Sequence, residues 1–133
     1  MKVRFWLDVI PRTKKNSQQI HINSRTGRPF VSQSKAYKQF AKDCAWLIPK
    51  TVRYDLNVPC RVQTIFYMPT KRRVDLNNLL SAIHDVLVEN HVIEDDNCTI
   101  INNVDGSRVR YEPGKVGIDV LIEVLEQREG VTT

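Results

Sequence analysis

The stretch Cys60–Val104, "CRVQTIFYMPTKRRVDLNNLLSAIHDVLVENHVIEDDNCTIINNV", decides the fold. Its opening, Cys60 to Met68, is rich in β-branched and aromatic residues and predicts a strand, which Pro69 ends. Leu76, Leu79, Leu80, Ile83 and Leu87 then recur at helical spacing, so a helix is expected to about Glu89, with Asp75 where an N-cap belongs. "CTIINNV" at the far end predicts another strand.

On the N-terminal side, Val3, Phe5, Leu7 and Val9 alternate with Lys2, Arg4, Trp6 and Asp8. This period of two predicts a strand over about 2–10, stopped by Pro11. A long polar and basic loop follows over about 11–28, with a short hairpin suggested around Thr26–Gly27 and a short strand at "PFVS". Ser34 is placed to cap a helix whose apolar stripe is Tyr37, Phe40, Ala41, Cys44 and Ile48, ending before Pro49.

On the C-terminal side, "DGSR" marks a turn. Val116, Ile118, Val120, Ile122 and Val124 then alternate with more polar positions and predict a final strand. A polar tail covers about 127–133. The order β-loop-β-α-β-α-β-β predicts a single α/β (α+β) domain spanning residues 1–133, a mixed sheet with two main helices packed on it.

Composition narrows the function. The chain has 133 residues, 41% of them hydrophobic, and a net charge of +5, which suits one globular domain and favours polyanion partners. Three cysteines, Cys44, Cys60 and Cys98, are widely spaced and form no C-x-x-C, and His21, His84 and His91 make no ligand set with them, so neither a disulfide framework nor a zinc site is expected. No apolar run is long enough to span a membrane, no signal-peptide pattern opens the chain, and no organic cofactor motif is present; the chain reads as cytoplasmic.

The chemistry concentrates between Lys71 and Asn97. Lys71, Arg72 and Arg73 precede Asp75, and Asp95–Asp96 follow the helix. A straight helix of that length separates its ends by roughly 20 Å, so the two acidic groups meet only if the chain turns back after Glu89. Magnesium takes oxygen ligands, often one or two carboxylates completed by water and substrate phosphate. Two readings of the spacing stay open: a magnesium site beside a phosphate-binding patch, or a helix cap and a turn with a solvated basic face. Arg12, Lys14, Lys15, Arg25 and Arg28 add cations in the N-terminal loop, and Asn16, Gln18 and Gln19 add polar groups able to contact phosphate or bases.

The pattern "RRVDLNNLLSAIHDVLVENHVIEDD" resembles the RusA family of Holliday junction resolvases, and "RPFVSQSKAY" resembles that family's approach to its first helix. The resemblance covers most of the chain. It implies a small homodimeric endonuclease of prophage type that depends on Mg²⁺ (Mn²⁺ as a substitute) and cuts four-way or branched DNA in recombination and repair. By the same resemblance Asp75 and Asp96 are metal ligands, Asp95 is a supporting or alternate ligand, and Asp85 matches an acidic position in mid-helix. Two positions depart from the family pattern. A carboxylate is replaced by Asn77 and a lysine by Ser81, four residues apart and therefore neighbours on one helix face. Asn77 is then a neutral oxygen ligand, or Asp105 supplies the missing carboxylate with Arg108 as replacement cation, or the protein binds junctions without cutting them. Asp105–Gly106 also reads as an ordinary hairpin turn. Beside the nuclease and the junction binder, the third functional alternative is a metal or interaction module that binds no nucleic acid, which predicts no salt-dependent DNA binding.

Overall fold

The computed structural model describes residues 1–14, 18–33 and 35–125, the side chains of 18–21 and 30–33 excepted. The expected sites at Lys15, Asn16 and Ser34 and the tail at 127–133 lie outside the described residues.

The elements run β1 (Lys2–Leu7), β2 (Gln18–Ile22), β3 (Pro29–Gln33), α1 (Lys35–Leu47), β4 (Cys60–Tyr67), α2 (Leu76–Glu89), β5 (Ile101–Asn103), β6 (Arg108–Arg110) and β7 (Gly117–Val124). Five strands form one mixed sheet in the order β1-β7-β4, with β5 and β6 both on the far side of β4. β7 runs antiparallel to β1 and to β4, whereas β5 and β6 run parallel to β4. The expected mixed sheet with two helices is the observed architecture.

Alternation in the sequence becomes rows across the sheet. Val3–Ile122–Val62, Phe5–Val120–Thr64 and Leu7–Ile118–Phe66 are in register over three strands, and all nine side chains are buried. The helices supply the other half of the core: Tyr37, Phe40 and Cys44 from α1, and Leu79, Leu80, Ala82, Ile83, Val86 and Leu87 from α2. Burying one large aliphatic or aromatic side chain stabilises by about 1.5–3 kcal/mol, more than a typical surface ion pair, so this layer rather than the ion pairs holds the fold.

α2 begins at Asp75, whose Oδ1 accepts the backbone N–H of Asn77 at 2.8 Å and of Asn78 at 3.3 Å. It ends in a Schellman-type turn. His91 takes a left-handed φ of 60°, its N–H bonds Val88 O at 3.1 Å, and the N–H of Val92 bonds Leu87 O at 3.0 Å. Val92 and Ile93 are then buried, and Ile93 bridges Leu56.

Three details differ from the sequence reading. β1 stops at Leu7, because the N–H of Val9 bonds back to Leu7 O at 3.0 Å and turns the chain away before Pro11. The loop expected over 11–28 holds a strand from Gln18 onward, paired with β3 in its own two-stranded sheet around the anticipated turn. Asp105–Gly106 is not a hairpin turn: β5 and β6 are two halves of one outer strand, broken by Val104–Ser107. Ser107 fills that break. Its Oγ accepts the N–H of Thr64 at 3.0 Å and lies 3.4 Å from Val62 O, which it reaches as donor. Gly106, at φ 86°, lets the chain turn there against the Gln63 side chain.

Cys44 and Cys60 are buried, Cys98 is exposed, and all three are free thiols.

Candidate nucleic-acid interface and acidic site

Parallel strands β4 and β6 end at the same side of the sheet, and in open α/β sheets ligands bind beyond the carboxyl ends of such strands. Four segments converge there. The chain leaving β1 brings Ile10–Arg12, and the chain leaving β4 brings Met68–Val74. Met68 donates its N–H to Arg110 O at 2.9 Å, so β6 anchors that second segment. α2 starts immediately after it.

Between the first two segments lies a groove lined by Ile10, Pro11, Arg12, Met68, Pro69, Thr70, Arg72, Arg73 and Val74. Arg12 is about sixty residues from Arg72 and Arg73 in sequence, and the fold puts all three on one cleft. Their side chains are exposed, as phosphate-binding cations must be. Lys71 projects from the same loop over the Tyr111 ring, 5.4 Å from its centroid, and Lys115 sits 4.2 Å from the centroid of Tyr67. Tyr111, Arg110 and Lys115 were not singled out from sequence. They belong to this basic end only because β6 and β7 terminate and begin there.

Lys14, Arg25, Arg28 and Arg108 go elsewhere. Lys14 forms an ion pair with Asp85 and lies 5.7 Å from the centroid of Tyr37, tying the segment after β1 to both helices. Asp85, the mid-helix acid, is thus engaged by Lys14. Arg25 and Arg28 sit in the β2–β3 turn, which Asn23 organises by accepting the N–H groups of Arg25 at 2.8 Å and Thr26 at 3.2 Å. Arg108 folds back onto its own turn, with Nε 3.2 Å from Gly106 O.

The candidate acidic residues lie at the start of α2, in the turn beyond its end and between β5 and β6. Asp75 caps its start, beside the arginine groove. Asn77, Ser81 and His84 follow at spacings of four and three on one face of the helix. Asp96 comes back toward this face, close enough for its charge to raise the proton affinity of His84. Burial has the larger effect and holds the His84 imidazole below its ordinary pKa. Asp95 is committed to its own turn: Oδ1 accepts the Asp96 N–H at 2.8 Å and Oδ2 accepts from Asn97 Nδ2 at 3.0 Å, which lowers its pKa. Asp105 lies at the break between β5 and β6, where Arg61 Nη1 bonds its carbonyl oxygen at 3.0 Å.

Hard oxygen donors of this kind suit Mg²⁺ in chemistry. Asp75 uses one carboxylate oxygen for capping the helix. Among the described residues, no three His, Cys, Asp or Glu side chains are gathered closely enough to cage a metal ion. A cation here would depend on substrate phosphate and water to complete its shell. Among the described residues, no helix is long and apolar enough to cross a membrane.

No curated protein matches the chain. The family model described as endodeoxyribonuclease RusA matches residues 8–122, which takes in the arginine groove, α1, all of α2 and the acidic turn beyond it. The expected resemblance is thereby met across nearly the whole chain, and the protein belongs to the RusA endodeoxyribonuclease family.

Proposed function

We propose that the protein is a Mg²⁺-dependent, structure-specific endonuclease that resolves four-way DNA junctions by paired symmetric nicks. The observation that carries this reading is the groove that joins Arg12 to Arg72 and Arg73 directly before Asp75. A DNA backbone held by those arginines passes the cap of α2, where a carboxylate oxygen remains available. Asp75 and Asp96 are the residues that would hold the cation, with Asp95 keeping the turn of Asp96 in shape and Asn77 offering a neutral oxygen. A divalent cation supplies charge neutralisation at phosphorus and an activated water. Lys71, Arg72 and Arg73 fix the strand to be cut, and in-line attack of water on its phosphorus leaves a 3′-hydroxyl and a 5′-phosphate. A twofold homodimer presents two such sites to two like strands of the junction.

Asn77 and Ser81, together with the dispersed carboxylates, favour a second reading, a junction-binding protein that cuts weakly or not at all. Nicking of a labelled four-way junction in Mg²⁺ and Mn²⁺ separates the two. Paired nicks lost in Asp75→Asn and Asp96→Asn, with junction binding retained, support the resolvase. Tight binding without cutting in either cation overturns it in favour of the binder.

A further inference from the structure

Helix α1 gives its inner face to the core through Tyr37, Phe40 and Cys44, and nothing above assigns its outer face a task. With 3.6 residues per turn, positions 35, 38, 42 and 46 fall within about 80° of one another, opposite the buried stripe. They are Lys35, Lys38, Lys42 and Trp46, all exposed. Together they form a ridge roughly 16 Å long. The three lysines border one shallow depression with Gln39. Among the described residues, none of the three is within ion-pair distance of a carboxylate, and the adjacent Asp43 is engaged by Gln39 Nε2 at 2.8 Å. Trp46 is 86% exposed, the most exposed large apolar side chain among the described residues. Tryptophan is normally well covered, so an indole left in water beside three unpaired cations needs a partner.

The combination of an aromatic platform and a line of cations fits one chemistry. We infer that the outer ridge of α1 binds a single-stranded segment of branched DNA, with an unpaired base stacked on Trp46 and the following phosphates met by Lys42, Lys38 and Lys35. Bases within a duplex are already stacked and cannot offer a face to the indole, while unpaired nucleotides can. Lysines are compact point charges that tolerate the irregular path of a single strand. A membrane surface would need the apolar face of the helix, and that face is in the core. The inference takes from the proposed function only that DNA is the partner.

The test uses the full chain with Trp6→Phe, so that Trp46 is the sole fluorophore of its kind, titrated with a dT oligonucleotide of about 12 nucleotides in EDTA. Trp46 emission is expected to be quenched on binding. Trp46→Ala is expected to weaken single-strand binding about tenfold. The triple change Lys35→Gln, Lys38→Gln, Lys42→Gln is expected to flatten the salt dependence by about 2 in log–log slope, from roughly 0.7 per phosphate. Unquenched emission with unchanged affinity overturns the inference. So does a Trp46→Ala variant whose sedimentation or vesicle binding changes while its oligonucleotide affinity does not, since Trp46 then serves a protein or lipid contact. Nicking of a fully paired junction is measured beside it. Quenching without any nicking keeps this inference and removes the nuclease reading, and nicking without quenching does the reverse.

Discussion

The carboxylate of Asp75 holds the backbone N–H of Asn77 at 2.8 Å, so the residue proposed to meet the cation also starts the helix that carries Asn77, Ser81 and His84 on one face. The two roles separate by substitution. Asp75→Asn keeps a good cap and should leave stability nearly unchanged while abolishing nicking. Asp75→Ala should lose nicking and also about 1 kcal/mol of stability. Urea titrations run beside the junction assay check both, and an Asp75→Asn variant that still cuts at the wild-type rate removes Asp75 from the chemistry.

Arg12, Arg72 and Arg73 share one groove, and each should contribute a phosphate contact. Replacing any one with Gln should weaken junction and duplex binding alike and reduce the slope of log affinity against log salt by about 0.9. Binding measured across a salt series checks this. Arg12 is the informative member, because its place in the groove depends on the fold and not on neighbouring sequence. An unaltered slope for Arg12→Gln would separate it from the DNA path.

Ser107 completes the interrupted ladder beside β4, accepting the Thr64 N–H at 3.0 Å. Ser107→Ala leaves that amide without its partner and should cost about 1–2 kcal/mol, and Ser107→Thr, which keeps the oxygen, should cost less. Denaturant midpoints order the three proteins. Equal midpoints for wild type and Ser107→Ala would show that water replaces the hydroxyl at no cost.

His84 makes stability depend on pH with a definite sign. Its Nε2 is buried without a hydrogen-bond partner among the described residues, and burial lowers its pKa against the opposing pull of Asp96 and Asp85. Above its ordinary value of 6.5 the ring is neutral in folded and unfolded chains alike, and no linkage arises. Below that, the unfolded chain takes up a proton that the folded one resists, so stability falls as pH falls until the lowered folded value is passed. Denaturant midpoints at pH 7 and pH 5 should therefore differ more for wild type than for His84→Gln. A matching pH dependence in both would place the effect in other groups.

Much of this was legible along the chain. The alternation around Phe5 and Val120 and the stripe from Leu76 to Leu87 each report one buried face, so β7 and α2 emerged close to their bounds and β1 at its start. β6 did not emerge. Arg108, Val109 and Arg110 are all exposed, and pairing with β4 through the backbone leaves no trace in side-chain polarity. The groove was invisible for a different reason: Arg12 meets Arg72 and Arg73 only through the β1-β7-β4 order of the sheet. Trp46 sits next to Leu47 and near Ile48, so composition gave no hint that the indole faces water; only the helical phase set by Tyr37, Phe40 and Cys44 does.

The break between β5 and β6 has a consequence for the protein among many copies of itself. A continuous outer strand would offer an unbroken row of amide and carbonyl groups to any extended chain in solution. Here the row is interrupted at Val104–Ser107, and the part beyond carries Arg108 and Arg110. Kinked, short and positively charged, this margin is a poor template for strand addition, so association of copies edge to edge is disfavoured on this side of the sheet.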